Sequence, residues 1–159
     1  MSENRKPAIV LVDDEPMILT SIRSLLMLEL ESDVESFTSP FEAVKYLEKN
    51  TVDVTVSDYL MPGMTGIQLL ADAKRLQPEA ARVLLTGHAD KASAIQAINE
   101  VGLYHYLEKP WDNTQFLLVI QQAVERAQLL RELRQKISEL GTAHSSLKEA
   151  QARLLKAFL

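Results

Sequence analysis

Ala8-Ile-Val-Leu-Val12 is an unbroken apolar, largely β-branched run that stops at Asp13-Asp14, the pattern of a short strand buried on both faces. Pro16 then opens a stretch in which Ile18, Ile22, Leu25, Leu26 and Leu30 recur at helical spacing. Val34 to Phe37 reads as a second strand, and Ser39-Pro40 follows as N-cap and first residue of a helix through Val44 and Leu47. Val52 to Ser57 is a third strand ending at Asp58, followed by the turn-rich loop Tyr59 to Thr65 and a helix from Gly66 to Leu76. Arg82 to Leu85 makes a fourth strand, ending at Thr86-Gly87-His88. A helix over Ala89 to Val101 stops at Gly102. Leu103 to Leu107 is a fifth strand before Lys109-Pro110, and a last helix begins near Asp112.

Five strands alternating with five helices predict a doubly wound α/β fold, a parallel sheet covered on both faces. Right-handed crossovers in such a sheet gather functional residues at the carboxyl ends of the strands. Asp13, Asp14, Asp58, Thr86 and Lys109 follow the first, third, fourth and fifth strands. Residues scattered along the chain therefore converge on one edge.

Composition narrows the chemistry. The 159 residues are 47% hydrophobic and 25% charged, with no cysteine, which allows a proper core and excludes disulfides, thiolate metal sites and cysteine nucleophiles. No apolar run is longer than that of Ala8 to Val12, far short of the roughly 20 residues that span a bilayer. The start, MSENRKP, lacks the apolar core of a secretory signal. The expectation is a soluble, cytoplasmic protein with no membrane partner. Residues 1–120 hold 10 Lys and Arg against 18 Asp and Glu, whereas residues 121–159 hold 7 against 4. The net charge of −5 argues against nucleic acid as a partner, and the shift in sign suggests two parts.

Three carboxylates brought together repel one another unless a cation sits among them. An all-oxygen donor set without imidazole or thiolate favours Mg²⁺ or Mn²⁺ over zinc. A lysine and a threonine hydroxyl beside the metal complete a cradle for a phosphoryl group. One aspartate then serves as nucleophile, forming an acyl phosphate. Asp58, alone at the end of the central strand, is the natural choice, while the Asp13-Asp14 pair suits the metal. Taken singly, each of these residues reads as an ordinary cap or turn; their common placement at strand ends is the signal.

The motifs VDDE at 12–15, SDYLMPGMTG at 57–66, LLTGHA at 84–89 and YLEKPW at 106–111 resemble, in order and spacing, the receiver domains of bacterial two-component response regulators, over residues 6–126. The resemblance implies a flavodoxin-like sheet of order 2-1-3-4-5. It implies that Asp58 is phosphorylated by a histidine kinase, that Asp14 and Asp58 bind magnesium directly, that Asp13 does so through water, and that the Leu60 carbonyl completes the protein ligands. Lys109 would pair with the phosphoryl group, its bond to Pro110 would be cis, and Thr86 and Tyr106 would be the switch hydroxyl and switch aromatic. On phosphorylation Thr86 would move towards the phosphate and Tyr106 would turn inwards, reshaping the surface of the fourth helix, fifth strand and fifth helix. Leu60 and His88 occupy the positions that border the attacking water's path. Apolar Leu60 offers that water nothing, so a long-lived phosphoryl group is expected.

Residues 127–159 read as a helical linker. Leu133, Leu140, Leu147 and Leu154 recur every seven residues, with Leu130, Ile137, His144, Gln151 and Phe158 in the companion positions, a heptad seam that predicts a coiled coil and a homodimer. Gly141, with a possible capping box from Ser146 to Glu149, offers a hinge instead. The expectation is one long C-terminal helix leading to an output module outside this chain; the TGHAD and YLEKPWD variants are similar to receivers that precede HD-GYP-type or other enzymatic modules. The chain itself would catalyse only its own phosphorylation and dephosphorylation. Two other readings stand beside this one. A dimerising scaffold would ignore phosphate. A magnesium-dependent small-molecule phosphohydrolase would share the aspartate chemistry, but the dehalogenase-like pattern needs a second aspartate two residues after the first, which Asp13-Asp14 does not supply.

Overall fold

The computed structural model describes residues 5–97 and 101–158, without the side chains of His88, Ala97 and Phe158. Five parallel strands, β1 (Ala8–Val12), β2 (Asp33–Phe37), β3 (Val54–Asp58), β4 (Ala81–Thr86) and β5 (His105–Glu108), form one sheet in the order β2-β1-β3-β4-β5. The helices are α1 (Pro16–Glu29), α2 (Pro40–Lys49), α3 (Gly66–Leu76), α4 (Lys91–Ala97) and α5 (Asn113–Phe158). This is the flavodoxin-like order expected from the motifs.

Alternation along the strands sorts the core into two layers. Ile9 and Leu11 of β1, with Val54, Val56, Val83 and Leu85, pack against Leu19, Ile22 and Leu26 of α1 and Phe116, Ile120 and Ala123 of α5. Val10 and Val12 point the other way, onto Ala43 and Leu47 of α2 and Leu69 and Ala73 of α3. Leu70, Leu84 and Ala94 continue that second layer under α4. Because both faces are covered, β1, β3 and β4 are almost wholly buried; β1 accordingly reads as a continuous apolar run, whereas β3 buries Thr55 and Ser57 between its valines.

Several boundaries differ from the sequence reading. β3 starts at Val54: the Val52 amide donates to Gln77 Oε1 at 2.7 Å, so a side chain arriving from the end of α3 takes the place of the ladder. Asp58 and Thr86 are the last residues of their strands rather than the first beyond them. A 3-10 turn, His88–Asp90, precedes α4, which begins at Lys91 rather than Ala89; its expected stretch through residues 98–100 lies outside the described residues. Ser39 does occupy the N-cap of α2, with Pro40 in the first turn, but its hydroxyl makes no capping bond. Its backbone carbonyl accepts from the Ala43 amide at 3.2 Å instead. Thr65, the last residue of the turn-rich loop, makes a full capping box with Gln68 at the start of α3.

β5 starts at His105 rather than Leu103, and the cause is a buried arginine. Arg82 of β4 donates from Nε and Nη2 to the Gly102 carbonyl, at 3.2 and 3.0 Å, and from Nη1 to the Ala80 carbonyl at 3.1 Å. The chain bends at Gly102, whose φ of +67° is a left-handed conformation suited to glycine, and joins the sheet only after Tyr104 donates to the Arg82 carbonyl. Burial, reinforced by the charge of Arg126, lowers the Arg82 pKa.

The chain divides into two units between Gln128 and Leu129. The second unit is helical throughout: Gly141 lies inside α5, so the hinge alternative is not the structure adopted. One glycine costs a helix only about 1 kcal/mol relative to alanine, and good helix formers on both sides outweigh it. Among the described residues, no helix is long and apolar enough to cross a membrane.

At the amino edge of the sheet, fully buried Asp53 accepts from the Ala8 amide and from Arg5 Nη2, both at 2.8 Å. These bonds pin the start of β1 beside β3. Asp53→Ala is expected to cost about 3 kcal/mol, because it leaves a buried amide and a guanidinium without their acceptor. The check is urea unfolding, where the midpoint should fall with the slope unchanged.

Candidate functional site

Each acidic side chain at the carboxyl edge is placed by a strand end. The last cross-strand bond of β1 runs from the Asp13 amide to the Phe37 carbonyl of β2, at 3.1 Å. The Asp13 side chain turns back to cap the next segment, its Oδ1 accepting from the Glu15 amide at 2.9 Å. Asp14 stays exposed, whereas Asp13 and Asp58 are buried. Asp58 ends β3, and the following Tyr59 amide donates to the Leu85 carbonyl of β4 at 3.0 Å.

The loop after Asp58 is closed on itself. The Gly66 amide donates to the Tyr59 carbonyl at 2.7 Å. A Cβ on Gly66 would lie 2.1 Å from the Asp58 carbonyl oxygen, so the first turn of α3 presses directly on the backbone of the acidic residue. Only glycine permits that approach. The Ser57 hydroxyl donates to the same carbonyl at 2.9 Å. Leu60 points outwards and is 60% exposed, while Met61 is buried and anchors the loop.

Carboxylate oxygens of Asp13, Asp14 and Asp58 lie within 4.8 Å of one another. Among the described residues one cation reaches them: Lys109, just past β5, places Nζ 3.0 Å from Asp58 Oδ1 and 3.6 Å from Asp13 Oδ2. Its backbone amide donates to the Thr86 carbonyl at 2.7 Å, and the bond to Pro110 is cis. Burial pulls the Lys109 pKa down, but the hydrogen bond and charge of Asp58, with Asp13 and Glu15, outweigh it and the net shift is upward. Asp13 is raised, chiefly by burial, with Asp58 and Asp14 adding to the rise against the Glu15 amide and Lys109. Its buried Oδ2 accepts no hydrogen bond. A buried carboxylate oxygen in that state lacks a ligand, and a hard divalent cation among the three carboxylates fits the donor set.

Thr86 is fully buried at the end of β4, and its hydroxyl donates to the Leu107 carbonyl at 3.4 Å. That carbonyl follows Tyr106, whose half-buried ring packs in the cluster of Leu70, Leu84, Ala94 and Val101. The threonine and the tyrosine are thus linked through one peptide of β5. The His88 side chain lies outside the described residues. Trp111 stacks on Phe116, ring centroids 5.5 Å apart. Leu130, at the start of the heptad seam, is half-buried, whereas Leu133, Ile137, Leu140, Leu147 and Leu154 are exposed. The contacts of Arg82 and Asp53 at the opposite edge escaped the sequence reading; a charged residue at each strand start was the only signal.

Residues 9–121 match the family model of the response regulator receiver domain. Over 152 residues, 96% of this chain, the sequence is 30% identical to the hydrogenase transcriptional regulatory protein HoxA of Cupriavidus necator, of which the alignment covers 31%. The signal receiver domain of an HD domain-containing protein from Pseudomonas fluorescens superposes with a TM-score of 0.73 at 35% identity, over 78% of this chain and 98% of that one. A response regulator receiver domain from Clostridium thermocellum gives 0.72 at 33%, with the same coverage. The chain spans less than a third of the length of the curated relatives it matches.

The raised Asp13 pKa has a stability consequence. Its cost is absent below the unfolded value and sets in as pH rises through the higher folded one, when the buried carboxyl must ionise. Without divalent cations, Asp13→Asn is therefore expected to gain stability relative to the natural chain as pH rises from about 4 to 8. Millimolar divalent cation should close the gap by stabilising the natural chain. Parallel denaturation midpoints for the two proteins across that range, with and without cation, test this; a gap independent of both pH and cation contradicts it.

Proposed function

This chain belongs to the response regulator receiver family, and on that footing we propose that Asp58 accepts a phosphoryl group from a phosphohistidine of a histidine kinase. The observation that carries the reading is the Lys109 ammonium 3.0 Å from Asp58 Oδ1, beside an Asp13 oxygen without a hydrogen bond. Receiver domains are signalling modules that work with histidine kinases, and relatives of this chain are regulators.

An Asp58 carboxylate oxygen attacks phosphorus, a P–O bond forms as the P–N bond to the donor imidazole breaks, and the electron pair leaves with the imidazole. Lys109 neutralises charge on the transferred oxygens. Magnesium or manganese would be held by Asp14 and Asp58, by Asp13 through water and by the Leu60 carbonyl; when bound it supplies the positive charge that three carboxylates and one lysine lack. Burial of Asp58 keeps bulk water from the acyl phosphate, and exposed, apolar Leu60 has no group to orient an attacking water.

Phosphorylation adds charge and acceptor oxygens at Asp58. The Thr86 hydroxyl exchanges the Leu107 carbonyl for a phosphoryl oxygen, Tyr106 rotates into the vacated space, and the surface of α4, β5 and α5 changes. We assign residues 6–126 to this receiver, working in the cytoplasm. The helical segment 127–159 carries its state to an output and joins two copies through Leu130, Leu133, Ile137, Leu140, Leu147 and Leu154.

Incubation with acetyl phosphate and Mg²⁺, followed by intact-protein mass spectrometry, should show one phosphoryl adduct that is absent in Asp58→Asn. A folded protein without an adduct overturns the reading and favours a phosphate-independent scaffold. Leu60→Asn, which adds an amide able to orient water, should shorten the adduct's lifetime severalfold; unchanged decay removes Leu60 from the hydrolysis argument.

A further inference from the structure

The second unit exposes an apolar stripe: Leu133, Ile137, Leu140, Leu147 and Leu154 are between 56% and 70% exposed. With Leu130, Ile137, His144 and Gln151 as heptad positions a, the leucines at 133, 140, 147 and 154 are positions d. The residues flanking the stripe are then Leu129, Lys136, Ala143 and Ala150 at g, and Arg134, Gly141, Lys148 and Leu155 at e. Every flanking charge is positive. The acids Glu132, Glu139 and Glu149 fall at c and f, away from the seam, and Glu139 pairs with Lys136 of its own helix at 3.8 Å.

Resting on the self-association reading above, we infer that residues 129–157 pair with a second copy in parallel and in register. Three flanking cations, together with two polar seam layers, fix that arrangement. In a parallel pair each g residue faces the e residue five positions further along its partner. In register, the facing pairs are Leu129 with Arg134, Lys136 with Gly141, Ala143 with Lys148 and Ala150 with Leu155. Every cation meets an uncharged residue, and the stems of the long side chains cover small or apolar neighbours. A slip of one heptad sets Lys136 against Lys148 along one side of the pair and against Arg134 along the other. An antiparallel pair of full overlap sets Arg134 against Lys148 twice. Both alternatives meet like charges beside an apolar seam, which is how specificity against wrong pairings is built.

The polar layers select the same geometry. In register, His144 faces His144 and Gln151 faces Gln151, so polar groups find polar partners inside the seam. A slip sets His144 against Ile137, and the antiparallel pair sets His144 against Leu140 and Gln151 against Leu133. Each leaves a polar side chain opposite an apolar one. Polar residues at single a positions set register at a cost in stability, and His144 and Gln151 are placed to do so here.

The absence of cysteine makes the arrangement readable by cross-linking of the full chain. Leu133→Cys carrying a size tag is mixed with untagged Gln151→Cys or untagged Leu140→Cys and oxidised. The expected result is disulfide-linked dimers of each variant with itself and no mixed-size product. A mixed product of 133 with 151 means antiparallel pairing, and one of 133 with 140 means a slipped register; either overturns the inference while leaving self-association standing. Should Leu133→Cys weaken pairing, Leu154→Cys replaces it, with Leu130→Cys as the antiparallel reporter and Leu147→Cys as the slip reporter. A natural chain that sediments as a monomer at tens of micromolar removes the self-association reading itself, and this inference with it. His144→Leu with Gln151→Leu should admit the slipped 133–140 product; a register that stays single in that variant denies the two residues their role.

Discussion

Three carboxylates share one ammonium at the carboxyl edge of the sheet, and the rest of the receiver unit is arranged around that imbalance. Lys109 bonds Asp58 and stands near Asp13, so two negative charges remain uncompensated. Burial removes the water that would have screened Asp13, which raises its pKa, and its Oδ2 has no hydrogen-bond donor. A site of this kind is unfavourable for the empty fold and favourable for whatever brings positive charge. The β-sheet supplies the stiffness that keeps the carboxylates from relaxing apart: each is fixed within a residue or two of a ladder whose partners are already paired.

Transmission away from that edge needs an element with two arrangements, and the switch proposed above assigns that part to β4 and β5. The Thr86 hydroxyl holds the Leu107 carbonyl through a 3.4 Å bond, long enough to be surrendered readily to a charged acceptor. The neighbouring Tyr106 ring is half-buried in a small cluster with α4 rather than in the main core. The cluster around Tyr106 is thus separate from the one that holds Phe116 and the large buried residues under α5.

Much of this was legible in the chain because buried strands leave a strong trace. The run Ala8 to Val12 and the aspartates that end it place β1 and half of the acidic cluster directly, and Asp58, Thr86 and Lys109 follow from the same rule at later strands. What stayed hidden depends on side chains that meet only in the folded molecule. Gln77 takes the Val52 amide and delays β3. Arg82 reaches the Gly102 carbonyl and delays β5. Ser39 has the right residue type for a cap and does not use it, while Thr65, at the end of a turn-rich string, does. Local propensity fixes where an element is possible; the competing partner for each end comes from elsewhere in the chain.

The amino edge of the sheet uses its charged residues differently. Asp53 is bonded to Arg5 there, whereas Arg82 is buried among carbonyl oxygens, and Lys74 Nζ lies 3.7 Å from where a Gly102 Cβ would stand. Arg126 sits over the Tyr104 ring beside them, 5.6 Å from its centroid. Charge at the amino edge is thus spent on fixing where strands begin, through the Arg5–Asp53 pair and the bonds of Arg82 to carbonyl oxygens, whereas the carboxyl edge gathers like charges that only an incoming cation relieves.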